Sequence, residues 1–349
     1  MKKIIFPLLA YLFIGCSGQT NKTTTFNTFP KIIQVEFKEI ETPPILPFVG
    51  DMLIVDNTLI TMDMMADTIF HVFKLPTCEY IGGFINRGNG PNEEISIAPY
   101  ISGISDSSFF YRSVQNGKIA YINKVTKSIE IKEKIDLPSK LMGDLTQIML
   151  NDNLIGYDMT KPSDLEYESF NIRSKEVHNF GSFPKIDLSV DKSKNNQMFT
   201  KIMANRKDGL RFAALYDKFP YLRIYGNKNN LIHEIRLENK QKLPSEFLEN
   251  IKNPTDLEGT MINYLKLKVT DSYIYGLYVG KTRGELKVQE RKNDDYGCEI
   301  HIWDWNGNPI AKLILEKEVS SFAVSSNNKY IICSSVKADN ILYKIDTSI

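Results

Sequence analysis

The feature that most constrains the fold is a β-hairpin that recurs along the chain. In each copy, two short runs rich in β-branched and aromatic residues flank a polar turn, which is the sequence pattern of a hairpin. The five clearest turns are centred on Pro76, Val125, Ser174, Asn227 and Gly307. A recurrence of about 40 to 50 residues, with several short strands per unit, is typical of the blades of a β-propeller.

The number of strands predicts how the ring closes. One or two further strand candidates precede each hairpin, which gives four strands per blade, and segment 321–349 adds three more strands. Segment 31–40 is strand-like but has no hairpin partner beside it. We therefore predict an all-β, six-bladed propeller over residues 30–349, with four-stranded antiparallel blades. Segment 31–40 would complete the last blade, because this closure leaves no unpaired sheet edge.

The interval before the last hairpin is longer than the others by about 30 residues, which indicates long connections there. Segment 237–259 is polar and contains two prolines, and Ser245 can cap a short helix over residues 247–251. Segment 281–297 is highly charged and is expected to connect two strands.

Residues 1–16 have the pattern of a secretory signal peptide. Lys2 and Lys3 precede an apolar run that ends at Ile14, shorter than the roughly 20 residues of a membrane-spanning helix. The following Cys16 completes a sequence, Phe-Ile-Gly-Cys, that resembles the lipobox of bacterial lipoproteins. The resemblance implies acylation of Cys16, and the alternative is an ordinary signal peptide with a chance cysteine.

An anchored chain needs a linker, and the polar, Thr-rich segment 17–29 has the composition of a flexible tether. Since no acidic cluster follows Cys16, we expect an outer-membrane lipoprotein on the periplasmic face. The membrane would then be a partner through the lipid anchor.

Charge and cysteine content limit the function classes. The chain has 43 Lys and Arg against 42 Asp and Glu, whereas a nucleic-acid binder usually has a clear basic excess. Besides Cys16, three cysteines are present, Cys78, Cys298 and Cys333. An odd number excludes a complete disulfide framework but leaves one bridge open in an oxidising compartment. Because no Cys-x-x-Cys or Cys/His cluster occurs, we expect neither a metal nor a cofactor.

Common catalytic motifs are absent from the sequence. It contains neither a P-loop nor a Gly-x-Ser-x-Gly elbow. His233 and Glu234 begin like a zinc-protease helix, but Leu237 stands where the second histidine is required. The sequence therefore assigns no catalytic residue.

A glycine-rich loop follows the first hairpin. Gly88, Gly90, Pro91 and Glu93 match a G-x-GPxE loop, which resembles the loop after the first blade of TolB-like six-bladed propeller lipoproteins. Glu94 stands where that family usually has an aromatic residue. The resemblance implies the propeller architecture and an envelope location, and it carries over no catalytic residues.

Polar residues at the blade entrances are the candidate site residues, because propeller ligands usually meet the central channel or the loops around it. Arginine and tyrosine suit carboxylates, glycans or peptides. In the glycine-rich loop, Arg87 and Glu93 either hold a turn between blades or line the channel mouth. The other candidate ligand-binding residues are Arg112, Asn205, Arg206, Tyr264 and Arg283.

Three functions remain open from the sequence. The first is a non-enzymatic, lipid-anchored binding or scaffold module for a protein, peptide or glycan. The second is an envelope hydrolase or lyase with an active site in the channel, which requires an acid and a base with shifted pKa values. The third is a structural component of an envelope complex, which requires a large exposed apolar patch.

Overall fold

The computed structural model describes residues 22–113, 116–138, 141, 146–159, 161–186, 192–238, 258–292, 294–347 and 349. Within this part of the chain, 26 β-strands form six sheets. Two α-helices of the same part, α1 (Asn195–Met198) and α2 (Arg283–Lys292), and a 3₁₀ helix (Lys192–Lys194) lie between strands. The predicted helix over residues 247–251 falls outside the described residues. The charged segment 281–297 connects two strands as expected and contains α2.

Each sheet contains one blade of four antiparallel strands, given below from the axis outward, and two of the sheets have a fifth, parallel strand at the outer edge. Blade one consists of β4 (Val49–Val55), β5 (Thr58–Asp63), β6 (Thr68–Lys74) and β7 (Glu79–Asn86). Blade two consists of β8 (Ile97–Gly103), β9 (Ser108–Ser113), β10 (Asn116–Ile122) and β11 (Ile129–Asp136). Blade three consists of β12 (Ile148–Leu150), β13 (Asn153–Gly156), β14 (Tyr167–Asn171) and β15 (Val177–Phe180).

The remaining blades include strands from the N-terminal segment. Blade four consists of β16 (Lys201–Asn205), β17 (Arg211–Tyr216), β18 (Tyr221–Gly226) and β19 (Leu231–Leu237), with β1 (Lys22–Phe26) outside β19. Blade five consists of β20 (Met261–Val269), β21 (Tyr273–Thr282), β22 (Cys298–Asp304) and β23 (Pro309–Leu315), with β2 (Ile32–Gln34) outside β23. Blade six consists of β24 (Ser321–Val324), β25 (Tyr330–Ser335), β26 (Ala338–Asp346) and β3 (Lys38–Glu41).

The six blades close into a ring. The innermost strands contact one another in the sequence β4, β8, β12, β16, β20 and β24, and β24 contacts β4 again. The prediction of a six-bladed propeller with four-stranded antiparallel blades is therefore confirmed.

The N-terminal segment crosses the outer edges of three blades before blade one begins. β1 pairs in parallel with β19, β2 pairs in parallel with β23, and β3 pairs antiparallel with β26. An N-terminal strand thus completes the last blade, as predicted, but β3 alone does so. The earlier part of segment 31–40 lies on blade five instead.

Strand β1 lies inside the segment whose composition indicates a flexible tether. Residues 22–26 form a strand there because the outer edge of β19 offers unpaired backbone groups, which a neighbouring extended chain can satisfy. Residues 17–21 of the expected tether lie outside the described residues.

Burial falls from the middle of each blade to its outer strand, as blade-on-blade packing requires. Every residue of β5 is buried, whereas β7 of the same blade has none. The second strand of each blade is covered by the neighbouring blades on both faces, which explains its run of apolar residues, for example Phe109–Tyr111 in β9 and Phe212–Tyr216 in β17.

Antiparallel order places alternate connections on opposite faces of the ring. Short turns join the first strand of each blade to the second and, in blades one to five, the third to the fourth. We call the face that they form the turn face. Asp56 and Asn57, at the β4–β5 turn, have φ of 45° and 53°, as a two-residue type I′ hairpin requires. At the β22–β23 turn Gly307 has φ of 80°, which confirms the positive φ that its Asn-Gly sequence predicts.

Candidate ligand site in the central channel

A cavity of about 280 Å³ lies on the axis of the ring. Its walls come from β4, β8, β16, β20 and β24, together with Thr146 and Gln147 just before β12. Lys207, Asp271 and Ser326 also line it, and each belongs to a turn after an innermost strand. The cavity therefore reaches the turn face.

Asp51 of β4 ties three blades together at the cavity wall. Its side chain is 5% exposed, and its Oδ1 accepts a hydrogen bond from Lys268 Nζ of β20 at 2.6 Å. The backbone N–H of Met52 donates to Oδ1 at 2.9 Å, and that of Ile101 in β8 donates to Oδ2 at 2.8 Å. This buried carboxylate thus joins blades five, one and two.

Lys266 lies two residues before Lys268, on the same side of β20. Its Nζ donates to the carbonyl oxygen of Gly50 at 2.5 Å. Burial lowers the pKa of Lys266 below its usual value; the Asp51 carboxylate opposes the shift, and the Lys268 ammonium adds to it. Two ammonium groups and one carboxylate therefore share this part of the cavity.

A second polar contact crosses the channel between blades two and four. Ser102 Oγ donates to Asn205 Oδ1 at 2.7 Å, and Asn205 Nδ2 donates to the carbonyl of Gly103 at 2.9 Å. Nearer the turn face, Lys207 Nζ contacts Asp106 Oδ1 at 2.9 Å. Asn205 is thus the sequence-predicted site residue that lines the cavity.

Arg87 and Glu93 lie in the glycine-rich loop and are not among the cavity-lining residues. The Arg87 guanidinium donates to the carbonyls of Ala66 and Asp63 at 2.8 and 3.1 Å. Glu93 Oε2 accepts the Gly90 N–H at 2.8 Å, and a Cβ at Gly88 would lie 2.0 Å from that oxygen. These contacts give both residues a role in holding the loop between blades one and two.

The other predicted arginines lie in three different places. Arg112 of β9 donates to the Leu141 carbonyl at 3.5 Å. Arg206 follows β16, pairs with Asp208 at 3.1 Å and lies over the Trp305 ring. Arg283 is exposed at the start of α2. None of the three lines the cavity.

Tyr264 is 1% exposed and lies in the core between blades four and five, away from the cavity lining. Its hydroxyl is 3.0 Å from His301 Nδ1, and His301 Nε2 is 2.7 Å from Glu299 Oε2. Phe29 of the N-terminal segment covers the imidazole, with ring centroids 4.6 Å apart. Burial lowers the pKa of His301, although Glu299 opposes the shift.

A larger buried ionic cluster lies between blades three and four. Glu166 accepts hydrogen bonds from Tyr225 and Arg223 at 2.9 Å each and from Tyr216, and it pairs with Lys201 at 3.2 Å. The Lys201 side chain is fully buried, with its ammonium 4.3 Å from the Tyr157 ring centroid. The cluster is sealed from solvent, so we assign it a structural role.

Sequence reasoning missed Asp51, Lys266 and Lys268. The signal was present, because β20 reads Leu-Lys-Leu-Lys-Val over residues 265–269, and such alternation places both lysines on one face of a strand. Strand periodicity does not show that this face borders the channel.

Cys78, Cys298 and Cys333 are buried free thiols, so the bridge left open by the sequence does not form between any two of them. Burial raises the pKa of Cys78 to about 11 and that of Cys298 to about 12. Across the described ranges, no group of three or more His, Cys, Asp or Glu side chains is arranged to hold a metal ion. In the same ranges, no helix has the length and apolar character to cross a bilayer.

Comparisons with known proteins agree with the fold. The chain is similar to a protein of Bacteroides fragilis NCTC 9343 whose name describes it as exported, with 14% identity and a TM-score of 0.59, covering 95% of this chain and 100% of that one. It is also similar to a DUF4221 member from Bacteroides vulgatus ATCC 8482, with 11% identity and a TM-score of 0.57, covering 89% and 97%. No curated protein matches the sequence. The profile of the family described as "TolB-like 6-blade propeller-like" matches residues 46–327, and the chain belongs to that family.

Proposed function

We propose that this protein is a lipid-anchored propeller of the bacterial cell envelope that binds a ligand in its central cavity without converting it. The observation that carries the proposal is the cavity on the ring axis, which reaches the turn face. Its buried carboxylate, Asp51, already accepts three hydrogen bonds, so it is poorly placed to act as a general base. The cavity has room for a small group that a protein, peptide or glycan presents.

The location rests on the N-terminal sequence and on the exported neighbour. Two lysines, a short apolar run and Cys16 resemble a lipoprotein signal, and a similar fold occurs in a protein described as exported. Acylation of Cys16 would hold the propeller at the membrane, since each buried methylene contributes about 0.8 kcal/mol. We place it on the periplasmic face of the outer membrane.

Metabolic labelling with an alkyne fatty acid tests the anchor. The full chain should incorporate the label and sediment with membranes, whereas Cys16→Ser should do neither. Label on the Cys16→Ser variant, or none on the wild type, would contradict the proposed anchor.

Thermal-shift screening tests ligand binding. The panel should contain oligosaccharides, peptidoglycan fragments and short peptides, because a ligand at a hundred times its dissociation constant adds about 2.7 kcal/mol of stability. Ser326→Trp should block the cavity mouth and remove the shift, since Ser326 is exposed and lines the cavity. Ser174→Trp is the matched control, because Ser174 is an exposed turn residue outside the lining. Shifts that survive Ser326→Trp would contradict binding in the channel.

The alternative is an envelope hydrolase or lyase, and one observation favours it. The lowered pKa of Lys266 gives the cavity an amine that loses its proton more readily than an ordinary lysine, and such groups occur in active sites. A product assay on every compound that binds separates the two functions. If the protein consumes the compound, the enzyme is the correct function and the non-enzymatic binding module is not.

A further inference from the structure

The interior of the channel has an imbalance of charge. Among the described residues that line the cavity, the charged groups away from the mouth are Asp51, Lys266 and Lys268. At the mouth, Lys207 already pairs with Asp106, and Asp271 is an exposed carboxylate in the turn after β20. With both interior lysines protonated, one positive charge lacks a counter-charge, in a place where burial makes an uncompensated charge costly.

The two lysines also have hydrogen-bond donors to spare. An ammonium group carries three N–H donors. Gly50 accepts one from Lys266 and Asp51 accepts one from Lys268, and no other described residue accepts a hydrogen bond from either. Two donors therefore remain on each ammonium beside the cavity.

The rest of the lining limits the shape and polarity of a ligand. Leu53, Ile101, Leu265, Leu267 and Val324 give the cavity aliphatic walls. Its volume of about 280 Å³ lies just below the range of about 300 to 1,000 Å³ of ordinary ligand pockets. A compact group with one anionic end and an apolar body fits these walls, and a folded domain or a long glycan does not.

We propose that the cavity binds its ligand through a single carboxylate, which accepts the spare N–H donors of Lys266 and Lys268 while an aliphatic body packs against Leu53 and Leu265. This inference rests on the proposed function, since it names the chemistry of the ligand in the same cavity. Asp51 keeps Lys268 in place, and Lys266 supplies the charge that the ligand neutralises.

Electrostatics supports this assignment. The charged groups that act on Lys266 are Asp51 on the facing strand β4 and Lys268 on its own strand. A bound carboxylate would favour the protonated amine and raise its pKa. Carboxylate binding should therefore weaken at alkaline pH, and should begin to do so below the pH at which an ordinary lysine titrates.

The experiment measures the melting temperature of the full chain with butyrate, N-acetyl-leucine and glucuronate, each beside its primary amide. The carboxylates should give saturable shifts in melting temperature and the amides none. The acid that gives the largest shift identifies the ligand class as an aliphatic acid, a peptide terminus or an acidic sugar. Lys266→Met should reduce carboxylate affinity by roughly 10- to 100-fold, the usual effect of losing a hydrogen bond to a charged group. Lys228→Met, at an exposed turn position outside the cavity lining, is the matched control and should change the affinity less than about threefold.

The outcomes separate this inference from the proposed function. Amides that bind as well as the acids, or carboxylates that give no shift up to millimolar concentration, would overturn the carboxylate assignment. Binding that Ser326→Trp leaves unchanged would instead contradict the channel as the site, whatever the charge of the ligand. The acid-to-amide comparison on the wild-type chain decides the question even if Lys266→Met does not fold.

Discussion

Asp51 of blade one and Lys268 of blade five meet at 2.6 Å in the wall of the central cavity, although they are 217 positions apart in the chain. Blade six lies between their blades in the ring. The pair is nearly inaccessible, with side-chain exposures of 5% and 10%. The ion pair links blades one and five across the cavity and forms a polar part of its wall.

Breaking this pair should destabilise the fold. Asp51→Ala leaves Lys268 buried without its partner and removes the acceptor of the Met52 and Ile101 N–H groups. We expect the free energy of unfolding to fall by about 3–5 kcal/mol, measured by urea denaturation. Lys207→Met breaks the more exposed pair with Asp106 and should cost less than about 1 kcal/mol. Equal losses of stability for Asp51→Ala and Lys207→Met would show that burial does not determine how much each ion pair contributes.

The N-terminal segment should contribute to the core through Phe29. This ring is 4% exposed and contacts both His301 and Trp303, with centroids 4.6 and 5.6 Å away. Phe29→Ala should lower the free energy of unfolding by about 3–5 kcal/mol, the usual cost of removing a buried phenylalanine ring. Thr25→Ala, at an exposed position of β1, should stay within about 0.5 kcal/mol. A small loss of stability for Phe29→Ala would mean that the N-terminal segment contributes little to the packing of the propeller core.

Stability should fall on mild acidification because of His301. Burial lowers its pKa in the folded state, so below the ordinary value of about 6.5 the unfolded chain binds the proton first. The free energy of unfolding is then unaffected by this group above about pH 6.5 and decreases as the pH falls towards 5. His71, whose pKa burial also lowers, should act in the same direction.

Thermal melts of His301→Gln across this pH range provide the check. The variant should lose part of the slope, whereas His178→Gln should keep it, since His178 is exposed. A wild-type profile that is flat between pH 6.5 and about 5 would contradict the prediction.

The glycine-rich loop should behave as a coupled unit. A methyl group at Gly88 would meet Glu93 Oε2 at 2.0 Å and displace it from the Gly90 N–H. Gly88→Ala and Glu93→Ala should therefore each cost about 1 kcal/mol, the net value of one such hydrogen bond. In the double variant the losses should not add, because both remove the same contact. Additive losses in a double-mutant cycle would show that the two residues act independently.

The glycine-rich loop also shows how far local sequence can be interpreted. Its glycines and Glu93 indicate a tight turn, and the structure contains one. Neither Arg87 nor Glu93 lines the cavity. That they contact a ligand elsewhere on the ring remains a prediction. Tyr264 illustrates the opposite case, because its position at the start of a blade indicates the channel, while a bulge in β20 accompanies its burial between blades.

The sequence by itself determined the blades, because hairpin turns and apolar runs are local signals that repeat wherever a blade recurs. It also determined that an N-terminal strand completes the ring, since blade six lacks a fourth strand of its own. Only the tertiary structure decided that Asp51, Lys266 and Lys268 share one cavity, and that Phe29 lies on His301. These contacts depend on which strand faces bring distant residues together when six twisted sheets close around one axis, and strand periodicity carries no information about that.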